Sequence, residues 1–189
     1  MSLLSGRVYG IITPHEYTLR MRSMAEEFLT LMADLDDDTQ ARMAAWYDAL
    51  KKEGFIGEQT PGLSYHISLA SFPLDQEQEA IALAREAAEH FAPFPVHFSH
   101  VGLFAGGRVL FIAPERCPEL DALHGACERH PDPKRPWTPH MTLLIDAPDG
   151  VCAALPPLIG QFRPFVGKIV RLHLCAFWPT REIGTYALE

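Results

Sequence analysis

The sequence lacks several features that would each define a class of protein. No apolar run approaches the roughly 20 residues needed to cross a bilayer, and the N-terminus lacks a basic segment followed by an apolar stretch. We therefore expect no membrane association. The four cysteines do not show the paired spacing typical of a metal site; they are Cys117, Cys127, Cys152 and Cys175. A cytoplasmic chain with reduced thiols is the simplest interpretation.

Positive charge is also scarce. Sixteen Lys and Arg residues face 24 Asp and Glu residues, which gives a net charge of −8. This balance works against a long nucleic-acid groove, because affinity for polyanions comes largely from neutralising phosphates. A small phosphoester or a strand end in a locally basic pocket remains compatible with it. Lys134 and Arg135 are the best sources of such local charge, although a solvated basic turn over residues 131–136 is the alternative interpretation.

The length and composition are those of a globular protein. A chain of 189 residues can form one compact domain or two fused lobes with a substantial core. Its 48% apolar and 21% charged residues fit a soluble protein.

Two short strand-like segments share the order histidine, apolar residue, hydroxyl residue: His66-Ile67-Ser68 and His140-Met141-Thr142. Side chains alternate faces along a strand, so in each segment the histidine and the hydroxyl point the same way and the apolar residue points into the core. The imidazole and the hydroxyl are then about 6.5–7 Å apart along the backbone. Two such segments facing one cleft would supply two acid/base groups and two hydroxyl donors, a combination suited to phosphate.

Composition alone does not make this pattern significant. A chain with nine histidines is expected to contain such a tripeptide by chance, and a third copy occurs at His97-Phe98-Ser99. An internal repeat distinguishes the two motif copies from the third, because only those two occupy equivalent positions in it. The order strand, helix, His-strand, helix, strand occurs twice, with opening strands predicted at Arg7–Pro14 and Arg108–Pro114 and closing strands at Phe94–Phe104 and Phe165–Phe177. His97 falls in a later strand of its half and has no equivalent, so we interpret it as coincidental.

The two halves differ in their first helical connection. The histidines are 74 residues apart, whereas the predicted opening strands are 101 apart, which leaves 27 extra residues in the first half. We assign them to a second helix, separated from its neighbour by Asp36–Asp38, one of which is available as N-cap. The apolar faces of these two predicted helices are Met24, Phe28, Leu31 and Leu35, and then Met43, Trp46, Tyr47 and Leu50.

Two H-x-S/T strands in duplicated lobes resemble the 2H phosphoesterase superfamily, which includes the RNA 2',3'-cyclic phosphodiesterases known as 2'-5' RNA ligases. The resemblance extends from the Arg7 strand to the last strand near Tyr186. The second segment fits the motif closely, whereas in the first Tyr65 stands where proline is frequent and Ser68 replaces the commoner threonine. The resemblance implies an α+β fold with antiparallel sheets around a central cleft. The chain would be a single domain, with lobe one at about residues 1–104 and lobe two at about 105–189.

The resemblance also implies a metal-independent phosphodiesterase acting on a 2',3'-cyclic phosphate or a 2'-5' phosphodiester, in RNA ends or small nucleotides. His66 and His140 would be general base and general acid, because an imidazole pKa of about 6.5 leaves both forms available near neutral pH. Ser68 and Thr142 would donate to the non-bridging oxygens. The scheme requires no cofactor and no metal, and it leaves open which histidine is the acid.

The remaining predictions concern substrate contacts and alternative functions. Tyr9 and Tyr186 lie near predicted strand ends where a base could stack, and Arg135 is a further substrate-binding candidate. His173 lies in a predicted strand and is a candidate to reach the cleft. One alternative is a metal-dependent hydrolase that uses the two motif histidines and His97, although no carboxylate shares a face with either motif histidine at close spacing. Another is a nucleotide- or RNA-binding module without turnover, which would have no need of two proton-transfer groups.

Overall fold

Seven strands and four helices make up the part of the chain described by the computed structural model, which covers residues 27–60, 62–104, 106–129, 131 and 136–189. In chain order they are β1 (Phe28–Leu35), α1 (Asp37–Lys52), β2 (His66–Pro73), α2 (Glu77–His90), β3 (Phe94–Leu103), β4 (Val109–Pro114), α3 (Pro118–Cys127), β5 (Met141–Ile145), α4 (Pro148–Gln161), β6 (Phe165–Phe177) and β7 (Arg181–Ala187). A short 3₁₀ turn precedes α2. None of the helices in these ranges has the length and apolar character that a membrane crossing requires.

All seven strands join one antiparallel sheet, which confirms the predicted α+β class. The strand order is β2-β1-β6-β3-β4-β5, and β7 pairs with β6. If each strand of the first half (β1, β2, β3) is replaced by its counterpart in the second (β4, β5, β6), and the reverse, the same strand order results, read from the other end. The duplication predicted from the sequence is therefore present in the topology. The closing strand of each half, β3 or β6, pairs with the opening strand of the other half, so the two halves exchange strands.

The helices cover one face of the sheet, and the site lies on the other. In β1 the residues at alternate positions, Leu29, Leu31, Ala33 and Leu35, belong to the main core, while Met32 belongs to a separate small cluster on the opposite face. In β6 the same alternation sends Leu172 and Leu174 into the main core and Cys175 and Phe177 into the small cluster. Strand periodicity thus separates the helix-covered core from the opposite, site-bearing face.

The prediction of a helix through Phe28, Leu31 and Leu35 is wrong, because these residues form β1. β1 lies between β2 and β6 and all but its first residue are buried, so its sequence is almost continuously apolar and lacks the alternation of a half-exposed strand. Such a run also satisfies the i, i+3, i+7 spacing of a helix. Among the described residues, the first half opens at β1 and has one helix between β1 and its His-strand, as the second half has between β4 and β5. The predicted strand Arg7–Pro14 lies outside the described residues.

The other elements predicted above agree with the structure within a few residues. Asp36 is the N-cap of α1, and its Oδ1 accepts a hydrogen bond from the Thr39 amide at 2.8 Å. The predicted apolar face of α1 is buried at Met43, Trp46 and Leu50. The strands predicted at Phe94–Phe104 and Phe165–Phe177 are β3 and β6.

Candidate active site

The two histidine segments lie in β2 and at the start of β5, the strands at opposite ends of the strand order, and the loops that precede these strands connect them. The loop before β2 bonds to β5: the Glu58 amide donates to the Ile145 carbonyl at 2.7 Å, and Gln59 Nε2 donates to the Leu143 carbonyl at 2.6 Å. In the reverse direction, Trp137 Nε1, from the loop before β5, donates to the Ser68 carbonyl at 2.9 Å. Each His-strand is therefore held by the loop that precedes the other one.

Gly57 allows the first of these loops to reach β5. Its φ of +64° is in the left-handed region that favours glycine, and a Cβ built on it would lie 2.5 Å from the Ile145 carbonyl oxygen. Any residue with a Cβ at this position would clash with the Ile145 carbonyl and push the loop away from β5. Sequence reasoning did not identify Gly57, Gln59 or the bond of Trp137 to Ser68, since the pairing of each loop with the other half appears only in the three-dimensional fold.

A cavity of about 520 Å³ lies between β1, β2, β5 and the loop that contains Gln59. His66, Ser68 and Thr142 line it, whereas His140, which the alternation predicts on the same face as Thr142, does not. The intervening residues Ile67 and Met141 are fully buried on the other side. One end of the cavity is aromatic and apolar, with walls formed by Phe28, Met32, Leu63, Phe177 and Trp178.

The rings of His66 and His140 are each held by a hydrogen bond of the same kind, to the backbone carbonyl two residues earlier in the chain. Nδ1 of His66 lies 2.8 Å from the Ser64 carbonyl oxygen, and Nδ1 of His140 lies 2.7 Å from the Thr138 carbonyl oxygen. A carbonyl oxygen can only accept, so Nδ1 is the protonated nitrogen in both rings. Nε2 is then the atom that gains or loses a proton in each ring, and both imidazoles are prepared for acid/base work.

The surroundings of His140 are aromatic. Its ring centroid lies 4.8 Å from that of Phe104, edge to face, and 5.2 Å from that of Phe111. Burial lowers the pKa of His140, against an opposing effect of the bond to the Thr138 carbonyl. The ring is not part of the cavity wall, although Thr142, two residues later on β5, is.

The surroundings of His66 are charged. Burial lowers its pKa; the bond to the Ser64 carbonyl and the Asp34 carboxylate oppose this, and the positive charges of His173 and His140 add to it. His66 is thus within electrostatic reach of His140. The charge of His140 therefore acts on the titration of His66.

Asp34 is the centre of the charged group beside His66. Its Oδ1 accepts from Ser64 Oγ at 3.0 Å, its Oδ2 accepts from Arg171 Nε at 3.1 Å, and His173 Nδ1 lies 3.6 Å from Oδ2. Burial alone would raise the pKa of Asp34, but these partners together lower it. Asp34 in turn raises the pKa of His173 to about 10, and Cys175, whose Sγ is 3.2 Å from His173 Nε2, adds to that rise. His173 is therefore a cation at neutral pH, and its part in this group was not foreseen from the sequence.

The structure places the other predicted residues away from the cavity or leaves them undescribed. His97 is on β3 and pairs at 3.0 Å with Glu115, with its side chain about half exposed, so it does not join the two motif histidines. Tyr186 is on β7, where it packs against the main core and does not line the cavity. The predicted contacts of Tyr9 and Arg135 lie outside the described residues.

Metal-binding side chains are not gathered at the site. Within the described ranges, no group of three or more His, Cys, Asp or Glu side chains has an arrangement that could hold a metal ion. The set of three histidines considered for a metal-dependent hydrolase is not brought together, because His97 lies on the exposed side of β3.

Comparison with known proteins gives a consistent result. No curated protein matches the chain by sequence. Among solved structures, E. coli LigT in its apo form is similar to it with a TM-score of 0.57 and 20% identity, covering 86% of this chain and 98% of LigT. The protein TT0787 of Thermus thermophilus is similar with a TM-score of 0.60 and 18% identity, covering 85% of this chain and 97% of that one. A crystal structure described as a phosphoesterase has a TM-score of 0.61 and 18% identity, covering 86% and 98%.

At these identities the solved structures establish the fold, and the sequence match establishes the family. Residues 29–176 match the 2'-5' RNA ligase superfamily, and this segment runs from β1 to the end of β6 and contains both histidine segments. Membership supports a phosphoesterase function, in agreement with the two histidine–hydroxyl pairs. With most of its length matched and its fold shared with LigT, the chain belongs to the 2'-5' RNA ligase superfamily, the 2H phosphoesterases.

Proposed function

We propose that this protein is a metal-independent phosphodiesterase that hydrolyses 2',3'-cyclic phosphates, or 2'-5' phosphodiesters, at RNA ends or in small nucleotides. The observation that carries the proposal is the shared tautomer of His66 and His140. Both rings donate Nδ1–H to a backbone carbonyl, which leaves Nε2 of each ring available for proton transfer. The charge of His140 reaches His66, so the two rings are near enough to act on one substrate. A reaction that removes one proton and delivers another needs two such groups.

The hydroxyls and the cavity fit the same substrate class. Ser68 and Thr142 line the cavity from the two facing strands, where they can donate to the non-bridging oxygens of a phosphate. The aromatic end, formed in part by Phe28, Phe177 and Trp178, offers apolar surface for a nucleobase. A volume of about 520 Å³ is in the range of pockets that hold a small molecule. LigT, which has the same fold, has been solved in complex with 3'-AMP.

The chemistry can be written with all atoms accounted for. One neutral imidazole removes a proton from water through Nε2 as the water oxygen attacks phosphorus. The bond from phosphorus to one ribose oxygen breaks, and the other imidazole, protonated, gives its Nε2 proton to that oxygen. The product is a phosphomonoester with a free ribose hydroxyl, and one proton returns through solvent to restore both histidines. The hydroxyls of Ser68 and Thr142 stabilise the negative charge on the phosphoryl oxygens.

The test is turnover of nucleoside 2',3'-cyclic phosphates, and of short RNAs that end in one, in excess EDTA. The parent protein is compared with His66→Ala and His140→Ala, and each variant is expected to lose about 10²-fold or more in kcat. His97→Ala is the matched control, because it removes a histidine of the same His-x-Ser pattern from an exposed site beside Glu115. It should retain the parent rate.

The outcomes separate the alternatives. Activity that survives in both motif variants would overturn the assignment and would point to a contaminating nuclease. Loss of activity in EDTA with recovery on adding a divalent metal would favour a metal-dependent hydrolase. Tight binding of these nucleotides, measured by calorimetry, without turnover would identify a binding module.

A further inference from the structure

The charged group beside His66 is not used by the proposed proton transfers. Its members are Asp34 of β1, Arg171 and His173 of β6, and Ser64 of the loop before β2. Asp34 is 2% exposed and His173 is 9% exposed. Removing a carboxylate and an imidazolium from water is costly even when they are paired. A buried group of this kind, joined to the cavity wall through Ser64, therefore requires an explanation.

Ser64 links the carboxylate to the imidazole. Asp34 is the cross-strand partner of His66 in the β1–β2 pair. The hydroxyl of Ser64 donates to Asp34 Oδ1 at 3.0 Å, while the carbonyl of Ser64 accepts from His66 Nδ1 at 2.8 Å. The position of this carbonyl determines both the tautomer and the direction of the His66 ring. Whatever holds Ser64 in place therefore also holds His66.

Arg171 and His173 in turn hold Asp34. The Arg171 guanidinium donates to Oδ2 through Nε, and the His173 imidazolium lies 3.6 Å from the same oxygen. The second oxygen, Oδ1, is left to accept from Ser64. Arg171 binds one carboxylate oxygen, with the His173 ring beside it, while the other oxygen binds the loop through Ser64.

The second half of the fold does not repeat this arrangement. Ser68 lies opposite Met32 and Thr142 lies opposite Phe111, so the position equivalent to Asp34 is Ala113. The positions equivalent to Arg171 and His173 are His100 and Gly102 in β3, the cross-strand partners of Ala113 and Phe111. A group required by the fold itself would be expected in both halves. Its presence in one half indicates a task particular to His66.

We propose that Asp34 is a positioning residue for His66, acting through the hydroxyl of Ser64 to keep Nε2 directed at the scissile phosphate. This inference rests on the proposed function and assigns to Asp34, Arg171 and His173 a role in it. In other enzymes a carboxylate orients a catalytic histidine by a direct hydrogen bond. Here the carboxylate binds the hydroxyl of Ser64, and the carbonyl of Ser64 binds the histidine.

Ser64→Ala tests the link with the smallest change, because it removes one hydroxyl and leaves the carbonyl. We expect kcat for a nucleoside 2',3'-cyclic phosphate to fall about tenfold, the lower end of what loss of an orienting partner costs. KM should change less than kcat, since Ser68, Thr142 and the aromatic end of the cavity are unchanged. Ser64→Thr, which keeps the hydroxyl, should restore kcat. Ser99→Ala is the control, because it removes a serine hydroxyl bonded to another histidine, His100, on β3.

A general loss of stability in Ser64→Ala would lower kcat but would not shift the pKa of His66 in particular. The charged groups that act on His66 are Asp34 from β1, His173 from β6 and His140, the residue before β5. In Ser64→Ala all three remain, so a displaced limb in the pH profile of kcat would report the changed ring position. The profile of Ser99→Ala should match that of the parent.

The closing measurement is independent of turnover. With ¹⁵N-labelled histidine, the parent should show His66 as the Nδ1–H tautomer at a pH where it is neutral, whereas Ser64→Ala should show a mixture of tautomers. That result in a protein that hydrolyses neither the cyclic phosphates nor 2'-5' phosphodiesters would retain the positioning role and reject the proposed function. An unchanged tautomer together with an unchanged kcat in Ser64→Ala would overturn the inference. Asp34→Asn is a second variant, and if it fails to fold, Ser64→Ala still decides.

Discussion

His66 and His140 hold their rings by equivalent bonds in unequal surroundings. Each Nδ1 donates to the carbonyl two residues earlier, but His66 lies beside the Asp34 carboxylate and His140 lies against two phenyl rings. The two halves of the sheet thus hold equivalent imidazoles, but the residues around the two rings differ. Difference of this kind is what an acid/base pair needs, because one group must be neutral while the other is protonated.

The pH dependence of kcat/KM follows from these environments. Burial lowers the pKa of both histidines below the usual 6.5. In the free enzyme, activity should fall in acid as the base is protonated, and should fall as the pH rises because the acid loses its proton. A bell-shaped profile with its maximum below pH 6.5 is expected, measured with a cyclic nucleotide at subsaturating concentration. A profile that still rises between pH 7 and 8 would contradict this assignment.

The neighbouring charges do not complicate that profile. The pKa of His173 is raised to about 10 and that of Asp34 is lowered, so neither group titrates between pH 5 and 8. Both limbs should therefore belong to the two motif histidines. The motif variants provide the check, since any residual rate in His66→Ala or His140→Ala should lack the corresponding limb.

The two hydroxyls of the cavity should act on kcat. If the proposed function holds, Ser68→Ala and Thr142→Val each remove a hydroxyl that would donate to the phosphoryl oxygens, with little change in shape, and each should lower kcat by about 10²-fold. Ser71→Ala is the matched control, because Ser71 is an exposed residue of the same strand as Ser68 and does not line the cavity. Steady-state kinetics on one cyclic nucleotide is sufficient. Equal rates for Ser68→Ala and Ser71→Ala would show that the Ser68 hydroxyl does not act on the substrate.

Much of this site could be predicted from the sequence because it depends on strand periodicity. Alternation placed His66 and Ser68 on one face and Ile67 in the core, and the repeat singled out His140 over His97. The error at β1 has the same origin, since a strand buried on both faces has no alternation to detect. Asp34 was missed for a different reason. Its partners Ser64 and Arg171 are 30 and 137 residues away in the chain, and only the strand exchange between the halves brings β6 beside β1.

The raised pKa of His173 predicts a pH dependence of stability. Its pKa is about 10 in the folded chain and near 6.5 in the unfolded chain, so between these values the folded state binds more protons. The stabilisation from protonated His173 is complete below about pH 6.5 and is lost as the pH rises toward 10. Urea unfolding of the parent and of His173→Gln at several pH values measures it. The difference in the free energy of unfolding should shrink as the pH rises, and a constant difference would mean that His173 is not an imidazolium.

Gly102 provides a test of the aromatic surroundings of His140. A Cβ built at this position would lie 2.5 Å from the ring of Phe111, which is 8% exposed and contacts the His140 ring. Gly102→Ala must therefore displace Phe111, and overpacking of this kind costs about 1–3 kcal/mol in the free energy of unfolding. Because Phe111 packs against His140, we also expect a lower kcat and a changed His140 limb in the pH profile. Gly125→Ala is the control: Gly125 is in α3 with open space at its Cβ position, so the change should leave activity intact and stabilise the helix by up to about 1 kcal/mol. If Gly102→Ala has the stability and pH profile of the parent, the contact between Phe111 and His140 has no part in the acid/base chemistry.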